Sequence, residues 1–272
     1  MNRLILCLCL SAIIISCRTA HSKDPKKSLL AVGEKHLFKS IINGNWVESS
    51  YINQIRKTKS PYNAQDSLGL IVELVIDTNR MKGDSLKIIA PSVHEIWDFQ
   101  VYFRPGTTPK SLPTNIEGDK GGDYYELGYS ITNSDTSLTV CHYNNAKELL
   151  TEKKLIKAPK SPQDALETMI NTMLFAGQYE TYDSTGHVMN IEFSPDGTVM
   201  GFPLFNKYFI LTDFVAESYK SFDQICFDIQ SKNQHCFAFE IKADTINLYG
   251  IIATDISDSV KRGDLKYKLV KR

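Results

Sequence analysis

Residues 177–202 read GQYETYDSTGHVMNIEFSPDGTVMGF and contain three short segments in which apolar and polar side chains alternate. Alternation with a period of two is typical of strands that bury one face. The segments are Gln178–Tyr182, Val188–Phe193 and Thr198–Phe202. Ser194-Pro195-Asp196-Gly197 predicts a tight turn between the last two, because glycine accepts the positive φ that such a turn needs. This stretch therefore predicts the start of an antiparallel meander.

A second start of the same kind lies 133 residues earlier, at Gly44-Asn45-Trp46. Apolar residues at helical spacing, Leu37-Phe38-Ile41-Ile42, precede that glycine. Ala165–Leu174 has the same spacing before Gly177-Gln178-Tyr179, and Ser161-Pro162-Gln163-Asp164 is expected to begin that helix with a cap, a proline and an acid. The recurrence of helix, Gly-x-aromatic and strands predicts a weak internal duplication.

Most of the remaining chain has the pattern of short strands joined by turns. The further expected strands are Leu68–Ile76, Leu86–Ala90, Trp97–Phe103, Tyr124–Ile131, Thr136–Tyr143, Lys153–Lys157, Tyr208–Phe214, Phe222–Ile229, His235–Ile241, Thr245–Gly250 and Leu265–Lys271. Glu48–Thr58 is expected to be helical, and residues 104–122, rich in proline and glycine, are expected to form a long loop of functional interest.

The expected fold is mainly β, with two tandem antiparallel meander β-barrels joined by a helix, because closure removes both exposed sheet edges. Residues 35–158 would form the first barrel unit, and 159–272 the linker helix and second barrel unit. One larger barrel with a helical insertion remains the alternative.

The amino terminus carries a targeting signal. Met1-Asn2-Arg3 and the apolar run Leu4–Ile15 fit a signal peptide, and the run is shorter than the roughly 20 residues of a membrane-spanning helix. Ile14-Ile15-Ser16-Cys17 resembles a lipobox, which implies cleavage before Cys17 and a diacylglycerol on its sulfur. Residues 1–16 are thus the expected signal peptide, and 17–34 a lipidated flexible tether. The expected location is a membrane of the cell envelope, the outer one by preference, with the lipid-anchored chain facing the periplasm or the cell exterior; the choice between inner and outer membrane stays open.

Charge and cysteine usage narrow the class of protein further. The 31 Lys and Arg side chains balance 31 Asp and Glu, which argues against a nucleic-acid partner. Beyond the signal and Cys17, the chain contains Cys141, Cys226 and Cys236. A hairpin whose paired positions sum to 462 places Cys226 directly across from Cys236. A disulfide and two packed thiols both remain open there.

Several of these motifs resemble a known group. The Gly-x-Trp opening strand and the meander are similar to calycins, and the combination of Gly44-Asn45-Trp46, Lys57–Pro61, His94-Glu95 and Asp244-Thr245 resembles lipocalin-like lipoproteins of Bacteroidota. The resemblance covers most of the mature chain and implies a β-barrel fold. It implies no activity, since that family has no settled function.

No catalytic constellation, cofactor fingerprint or metal-ligand spacing is present, so the chain is expected to be a non-enzymatic protein without a cofactor. Strand parity places aromatic residues on one face of successive strands, where they would line a cavity for a small apolar or amphipathic ligand. The expected ligand-binding residues are Trp97, Phe99, Phe103, Tyr125, Tyr129 and His142. A barrel filled by these side chains, which presents loops to an envelope protein or a glycan, is the alternative.

Overall fold

A computed structural model of the chain describes residues 30–93, 95–133, 135–159, 165–214, 222–254 and 260–272. Within these ranges the protein is mainly β, as predicted, with a closed eight-stranded antiparallel barrel followed by a second eight-stranded antiparallel sheet. The signal peptide, Cys17 and the first part of the tether lie outside the described residues, as does the expected helix cap at Ser161–Asp164. The alternative of one larger barrel is wrong.

The first half begins with a helix and closes into the first barrel. Helix α1, Val32–Ile42, starts within the expected tether. The strands of the first barrel are β1 Gly44–Glu48, β2 Glu73–Ile76, β3 Ser85–Pro91, β4 Ile96–Tyr102, β5 Ser111–Glu117, β6 Tyr124–Thr132, β7 Asp135–Tyr143 and β8 Leu149–Lys157. Helices α2, Ser49–Thr58, and α3, Pro61–Ala64, lie between β1 and β2.

Helix α4, Ala165–Leu174, leads into the second sheet. Its strands are β9 Gly177–Tyr182, β10 Val188–Phe193, β11 Val199–Met200, β12 Tyr208–Ile210, β13 Gln224–Phe227, β14 His235–Lys242, β15 Thr245–Ala253 and β16 Val260–Lys271. The two edge strands of this sheet, β11 and β12, meet through a bridge between Thr198 and Lys207. The sheet therefore wraps around its own apolar core.

Both halves join their first and last strands in the same register. Trp46 of β1 lies across from Lys157 of β8, and Tyr179 of β9 lies across from Lys271 of β16. The glycine two positions before each aromatic residue has a positive φ, +118° at Gly44 and +142° at Gly177. The lysine stem occupies the space that a side chain on that glycine would need, so the recurring Gly-x-aromatic pattern marks a recurring structure.

The structure departs from the expected elements most clearly at residues 104–122. Strand β5 lies there, although the composition predicted a long loop. Pro113 cannot donate a hydrogen bond, the pairing with β6 contains an irregularity between Pro113 and Glu117, and β4 pairs with β5 only at Val101 and Thr114. The sequence of β5 lacks a clear alternating pattern, and the strand forms because it pairs with β4 and β6.

Helix α2 connects the two halves, although it lies between two strands of the first barrel. Its buried face, Tyr51, Ile52 and Ile55, belongs to the same apolar cluster as α4 and the interior of the second sheet. The buried carboxylate of Glu73, at the start of β2, accepts hydrogen bonds from the first backbone N–H groups of α4, at 3.1 Å from Ala165 and 3.0 Å from Leu166. The first barrel thus caps the helix that begins the second half.

A second polar contact at the junction involves Asp223, which precedes β13. Its Oδ1 accepts a hydrogen bond from the backbone N–H of Tyr62 in α3, at 2.8 Å. Burial raises the pKa of Asp223 to about 6, while hydrogen bonds from Ser60 and Tyr62 act in the opposite direction. The nearby hydroxyl of Tyr51 is buried and has no hydrogen-bond partner among the residues that the structure describes, and burial together with the Asp223 charge raises its pKa.

Candidate ligand site at the opening of the second sheet

The ligand-binding residues expected in the first barrel belong to its packed core or lie at its margin. Phe99 and Phe103 are fully buried, and Trp97, Tyr125 and Tyr129 are partly buried against the same cluster. The interior around them is filled mainly by aliphatic side chains. These are Leu74, Ile76, Leu86, Ile88, Val101, Leu112, Leu127, Leu138 and Leu155. The structure therefore places Phe99, Phe103, Tyr125 and Tyr129 among packing side chains, whereas Trp97 also lines a pocket of about 1100 Å³ beside β3 and β4.

His142, the polar residue of that predicted set, lies in a compact cluster at one end of the first barrel. Its ring stacks on Tyr125 with 4.3 Å between ring centroids and 6° between planes. Its Nε2 is 3.4 Å from Oδ2 of Asp123, without hydrogen-bond alignment. Gly118 packs so closely that a Cβ there would lie 2.8 Å from His142 Nε2. These contacts leave little space beside the imidazole on that side.

The segment before β5 is also anchored to the barrel. The buried carboxylate of Glu126 accepts a hydrogen bond from the Ser111 hydroxyl at 2.5 Å and from the backbone N–H of Thr107 at 2.8 Å. The Thr107 hydroxyl donates a further one at 2.9 Å. Charge-assisted hydrogen bonds of this kind hold a loop in one conformation. Residues 104–110 are thus tied down, unlike a lid that opens freely.

The second sheet has an opening between its first and last strands. β9 and β16 pair only at Glu180–Val270 and Tyr179–Lys271, although both strands continue beyond these residues. A pocket of about 560 Å³ lies against the unpaired ends. It is lined by Tyr182, Asp183, Ser184, Met189, Phe202, Pro203, Leu204, His235, Phe237, Lys266 and Tyr267. This volume is within the range of pockets that hold small molecules.

Aromatic side chains form the inner wall of this pocket. Tyr267 makes edge contacts with Phe202 and Phe237, with 4.9 Å and 5.6 Å between ring centroids. Phe227 stacks on Phe205 behind them, at 4.5 Å. Rings in edge and offset contact provide a rigid apolar surface. The pocket therefore has a preformed apolar floor.

Two of these rings come from the connection between β11 and β12, which turns into the interior. Gly201 has a φ of +77°, and a Cβ at this position would overlap the carbonyl oxygen of Asn190. Only glycine fits this turn, and the turn directs Phe202 and Phe205 into the core. Leu204, between them, stays 69% exposed at the rim of the pocket.

Polar groups are confined to the rim. Asp183, Ser184 and Lys266 belong to the lining, and the ring of His235 lies 4.5 Å from that of Phe237. The Asp183 carboxylate accepts hydrogen bonds from the hydroxyl and the backbone N–H of Thr185 and from the backbone N–H of His187. These hydrogen bonds, that of the Thr185 hydroxyl above all, lower the pKa of Asp183.

A disulfide crosslinks the strands that carry part of the inner wall. Cys226 and Cys236 lie directly across from each other, in the register summing to 462, with Cα atoms 4.0 Å apart and their sulfurs bonded. Their neighbours Phe227 and Phe237 point to the opposite face, into the core. Cys141 is a buried free thiol in the first barrel, and burial raises its pKa.

Neither a metal centre nor a spanning helix is found in the part of the chain that the structure describes. There, no three His, Cys, Asp or Glu side chains are grouped so that they could hold a metal ion. No helix in the same ranges has the length and apolar character needed to cross a membrane. No protein-family model, no curated protein and no solved structure matches this chain.

The pocket of the second sheet was missed by reasoning from sequence, which selected aromatic residues on long alternating strands. Phe202 and Leu204 belong to a short connection, Gly201-Phe202-Pro203-Leu204-Phe205, with three large apolar residues. Apolar residues in a turn are a signal of either a buried plug or a binding surface. Here they form both, since Phe202 and Phe205 are buried and Leu204 is exposed.

Proposed function

We propose that this protein is a lipocalin-like lipoprotein of the cell envelope that binds a small apolar or amphipathic molecule without chemical conversion. The observation that carries the proposal is the pocket of about 560 Å³, with its aromatic floor and polar rim, at the opening between β9 and β16. A concave apolar site with a few polar groups at one edge is the usual form of such binding sites. The first barrel, with its filled interior, would act as a support.

The proposed membrane attachment is a lipid on Cys17, with the folded halves facing the periplasm or the cell exterior. The lipobox-like Ile14-Ile15-Ser16-Cys17 supports this part of the proposal. Two or three acyl chains hold a protein durably, where one would be marginal. Metabolic labelling with a tagged fatty acid tests it: the label is expected on the wild-type chain, and its persistence in Cys17→Ala would refute the anchor.

Ligand binding is tested with the whole chain carrying Cys17→Ser, by native mass spectrometry after gentle purification and by titration with a neutral apolar fluorophore, N-phenyl-1-naphthylamine. A co-purified small molecule, or saturable fluorophore binding at a single site, is the expected result. Absence of both would favour the alternative, a filled module that presents loops to an envelope protein or glycan.

A matched pair of variants locates the site. Leu204→Glu places a charge at the rim of the pocket, and Ile131→Glu places one at an exposed apolar residue of the first barrel. Fluorophore affinity should fall by about tenfold or more in Leu204→Glu, because a carboxylate opposes burial of an apolar molecule. Ile131→Glu should bind as the parent does. Equal losses in both variants would place the site elsewhere.

A further inference from the structure

We infer that the contact of Tyr62 with Asp223 is a pH-sensitive latch between the two halves of the molecule. The latch is held closed when Asp223 is protonated, and it opens more readily when Asp223 is ionised. The inference does not depend on the proposed ligand. It rests on the position of this carboxylate at the junction and on two buried polar groups beside it that lack partners.

A single hydrogen bond forms the direct contact of the latch. The backbone N–H of Tyr62, in α3 of the first half, donates to Oδ1 of Asp223 at 2.8 Å. The Tyr62 ring also makes an edge contact with Phe214 of the second half, with 5.4 Å between ring centroids. The backbone carbonyl of Asp223 accepts a hydrogen bond from the N–H of Phe239 in β14 at 3.0 Å. The second sheet therefore fixes the carboxylate, and its partner belongs to the first half.

The surroundings of the Asp223 carboxylate favour its protonated form. It is largely removed from water, and hydrogen bonds from Ser60 and Tyr62 offset this only in part, so that its pKa is raised to about 6. Tyr51 of α2 adds a neutral hydroxyl nearby. No Lys, Arg or His is paired with Asp223 in the part of the chain that the structure describes. Opening of the latch would return the carboxylate to water, which favours its ionised form.

Two polar groups beside the carboxylate make the closed junction less stable than an apolar contact would be. Tyr51 is fully buried, and Gln224, the neighbour of Asp223 in the chain, is 2% exposed. The hydroxyl of Tyr51 and Nε2 of Gln224 have no hydrogen-bond partner within the described ranges. A buried polar group without a partner destabilises the state that buries it. The junction is therefore a region that we expect to open before the rest of the molecule unfolds.

The direction of the pH effect follows from the proton that the closed latch retains. Asp223 has a pKa of about 6 in the closed latch, against about 4 for an aspartate in water. Between these two pH values the closed latch keeps a proton that the open latch releases, so opening increases as the pH rises. The equilibrium constant for opening should rise about tenfold for each pH unit, or about a hundredfold in all. Above pH 6 both states are ionised, and this group adds no further change.

Hydrogen exchange of single amides, measured by NMR spectroscopy in the whole chain carrying Cys17→Ser, tests the latch. The Tyr62 amide is the probe, because its exchange requires that the hydrogen bond to Asp223 breaks. The Ala158 amide, which donates to the carbonyl of Asn45 at 2.9 Å in the first barrel, is the control. After correction for intrinsic rates, Tyr62 should be less protected than Ala158, and its protection should fall about a hundredfold from pH 4 to pH 6. Equal protection of the two amides would mean that the contact opens only when the chain unfolds, and would overturn the inference.

Asp223→Asn assigns the pH effect to one side chain. The amide oxygen of asparagine keeps an acceptor for the Tyr62 N–H but does not titrate. Protection of the Tyr62 amide should therefore become independent of pH between pH 4 and pH 6 in this variant. If the hundredfold fall persists in Asp223→Asn, another group causes it and the assigned role is wrong.

A pair of tyrosine variants tests the contribution of the unpaired hydroxyl. Tyr51→Phe should raise the protection of the Tyr62 amide by about tenfold, because the closed junction then buries one unpaired polar group fewer. Tyr208→Phe is the control: this tyrosine belongs to the same apolar cluster, but its hydroxyl donates to the carbonyl of Ser194 at 2.7 Å. It should not raise the protection. A fall in protection in Tyr51→Phe would show that the hydroxyl stabilises the closed latch, contrary to the inference.

Discussion

The first barrel and the second sheet begin and end alike, but their interiors differ. Each starts from a helix and a Gly-x-aromatic strand, and each places a lysine of its last strand across from that aromatic residue. The first interior is mainly aliphatic, whereas rings dominate the second. Those rings are Phe175, Tyr179, Phe193, Phe202, Phe205, Tyr208, Phe227, Phe237 and Phe239.

The comparison shows that the register between the first and last strands does not depend on which side chains fill the interior. The register depends on the contact between first and last strands, which involves Gly44 or Gly177 and one lysine. The interior depends on inward positions along all eight strands. In the second half a plug formed by residues 201–205 occupies part of this space and leaves a pocket beside it. One half can therefore serve as a packed support while the other presents a site.

The largest expected effect tests the shared opening strand. Trp46→Ala should lower the free energy of unfolding by about 4 kcal/mol, because Trp46 is fully buried and its indole N–H donates to the carbonyl of Ile42 at 2.7 Å. Tyr179→Ala, at the equivalent position, should lower the free energy of unfolding by about 3 kcal/mol, because a smaller ring is removed. Denaturant unfolding of both variants checks this, and a smaller loss at Trp46 than at Tyr179 would contradict the ranking.

A pH dependence tests the junction between the halves. The pKa of Asp223, raised to about 6 by burial, means that the folded state keeps a proton that the unfolded chain releases near pH 4. Stability should therefore fall as the pH rises from about 4 to about 6, by up to about 3 kcal/mol, and should not change further from this group above that range. Asp223→Asn keeps the acceptor for Tyr62 and should remove this component.

The difference between wild type and Asp223→Asn is the quantity to measure, by thermal unfolding at a series of pH values. It isolates Asp223 from carboxylates such as Asp183 and Glu240, whose pKa values are lowered and whose effect on stability has the opposite sign. Parallel profiles for the two proteins would refute the role of Asp223.

The disulfide offers a test confined to the second half. Loss of the bond in the double variant Cys226→Ser, Cys236→Ser should lower the stability of the second sheet by about 2–3 kcal/mol, through the freedom gained by the unfolded chain. Fluorophore binding should weaken as well, because Phe227 and Phe237 adjoin the two cysteines. Thermal unfolding with and without a reducing agent checks the first effect, and Cys141→Ser is the control for thiol chemistry elsewhere. An unchanged melting temperature in the double variant would contradict this prediction.

The smallest expected effect compares the two lysines. Lys157 places its Nζ 5.2 Å from the ring centre of Trp46, a cation–π distance. Lys157→Met should lower the free energy of unfolding by about 0.5–1 kcal/mol, because this contact is lost. Lys271→Met should lower it by less, since the Lys271 stem packs on Gly177 and, within the described ranges, none of the cation–π contacts joins Lys271 to Tyr179. Denaturant unfolding measures the loss of stability in each variant, and a larger loss for Lys271→Met than for Lys157→Met would contradict this prediction.

Prediction from sequence succeeded where local chemistry dictates the structure. Alternation places Cys226 and Cys236 on one face, and a hairpin whose paired positions sum to 462 aligns them directly, as the structure has it. The strand start at Gly44 and the helical spacing of Tyr51, Ile52 and Ile55 are also seen. Strand β5 was missed because prolines mask its pattern, and its position depends on pairing with its neighbours.

The predicted ligand residues show the limit of strand parity. Parity correctly places Phe99 and Phe103 on the inward face, but it cannot distinguish a core from a cavity. That distinction depends on whether opposing side chains meet, which involves residues far apart in the chain. In the first barrel the opposing side chains meet, and in the second sheet β9 and β16 separate beyond Glu180.

By itself the sequence determined the class of fold, the repeated start at Gly44 and Gly177, and the alignment of Cys226 with Cys236, because each depends on side-chain period or turn chemistry within a short segment. Tertiary structure alone decided the capping of α4 by Glu73, the contact of Lys157 with Trp46, and the location of the pocket. These features join residues from distant strands, and the space between strands is set by the packing of the whole core.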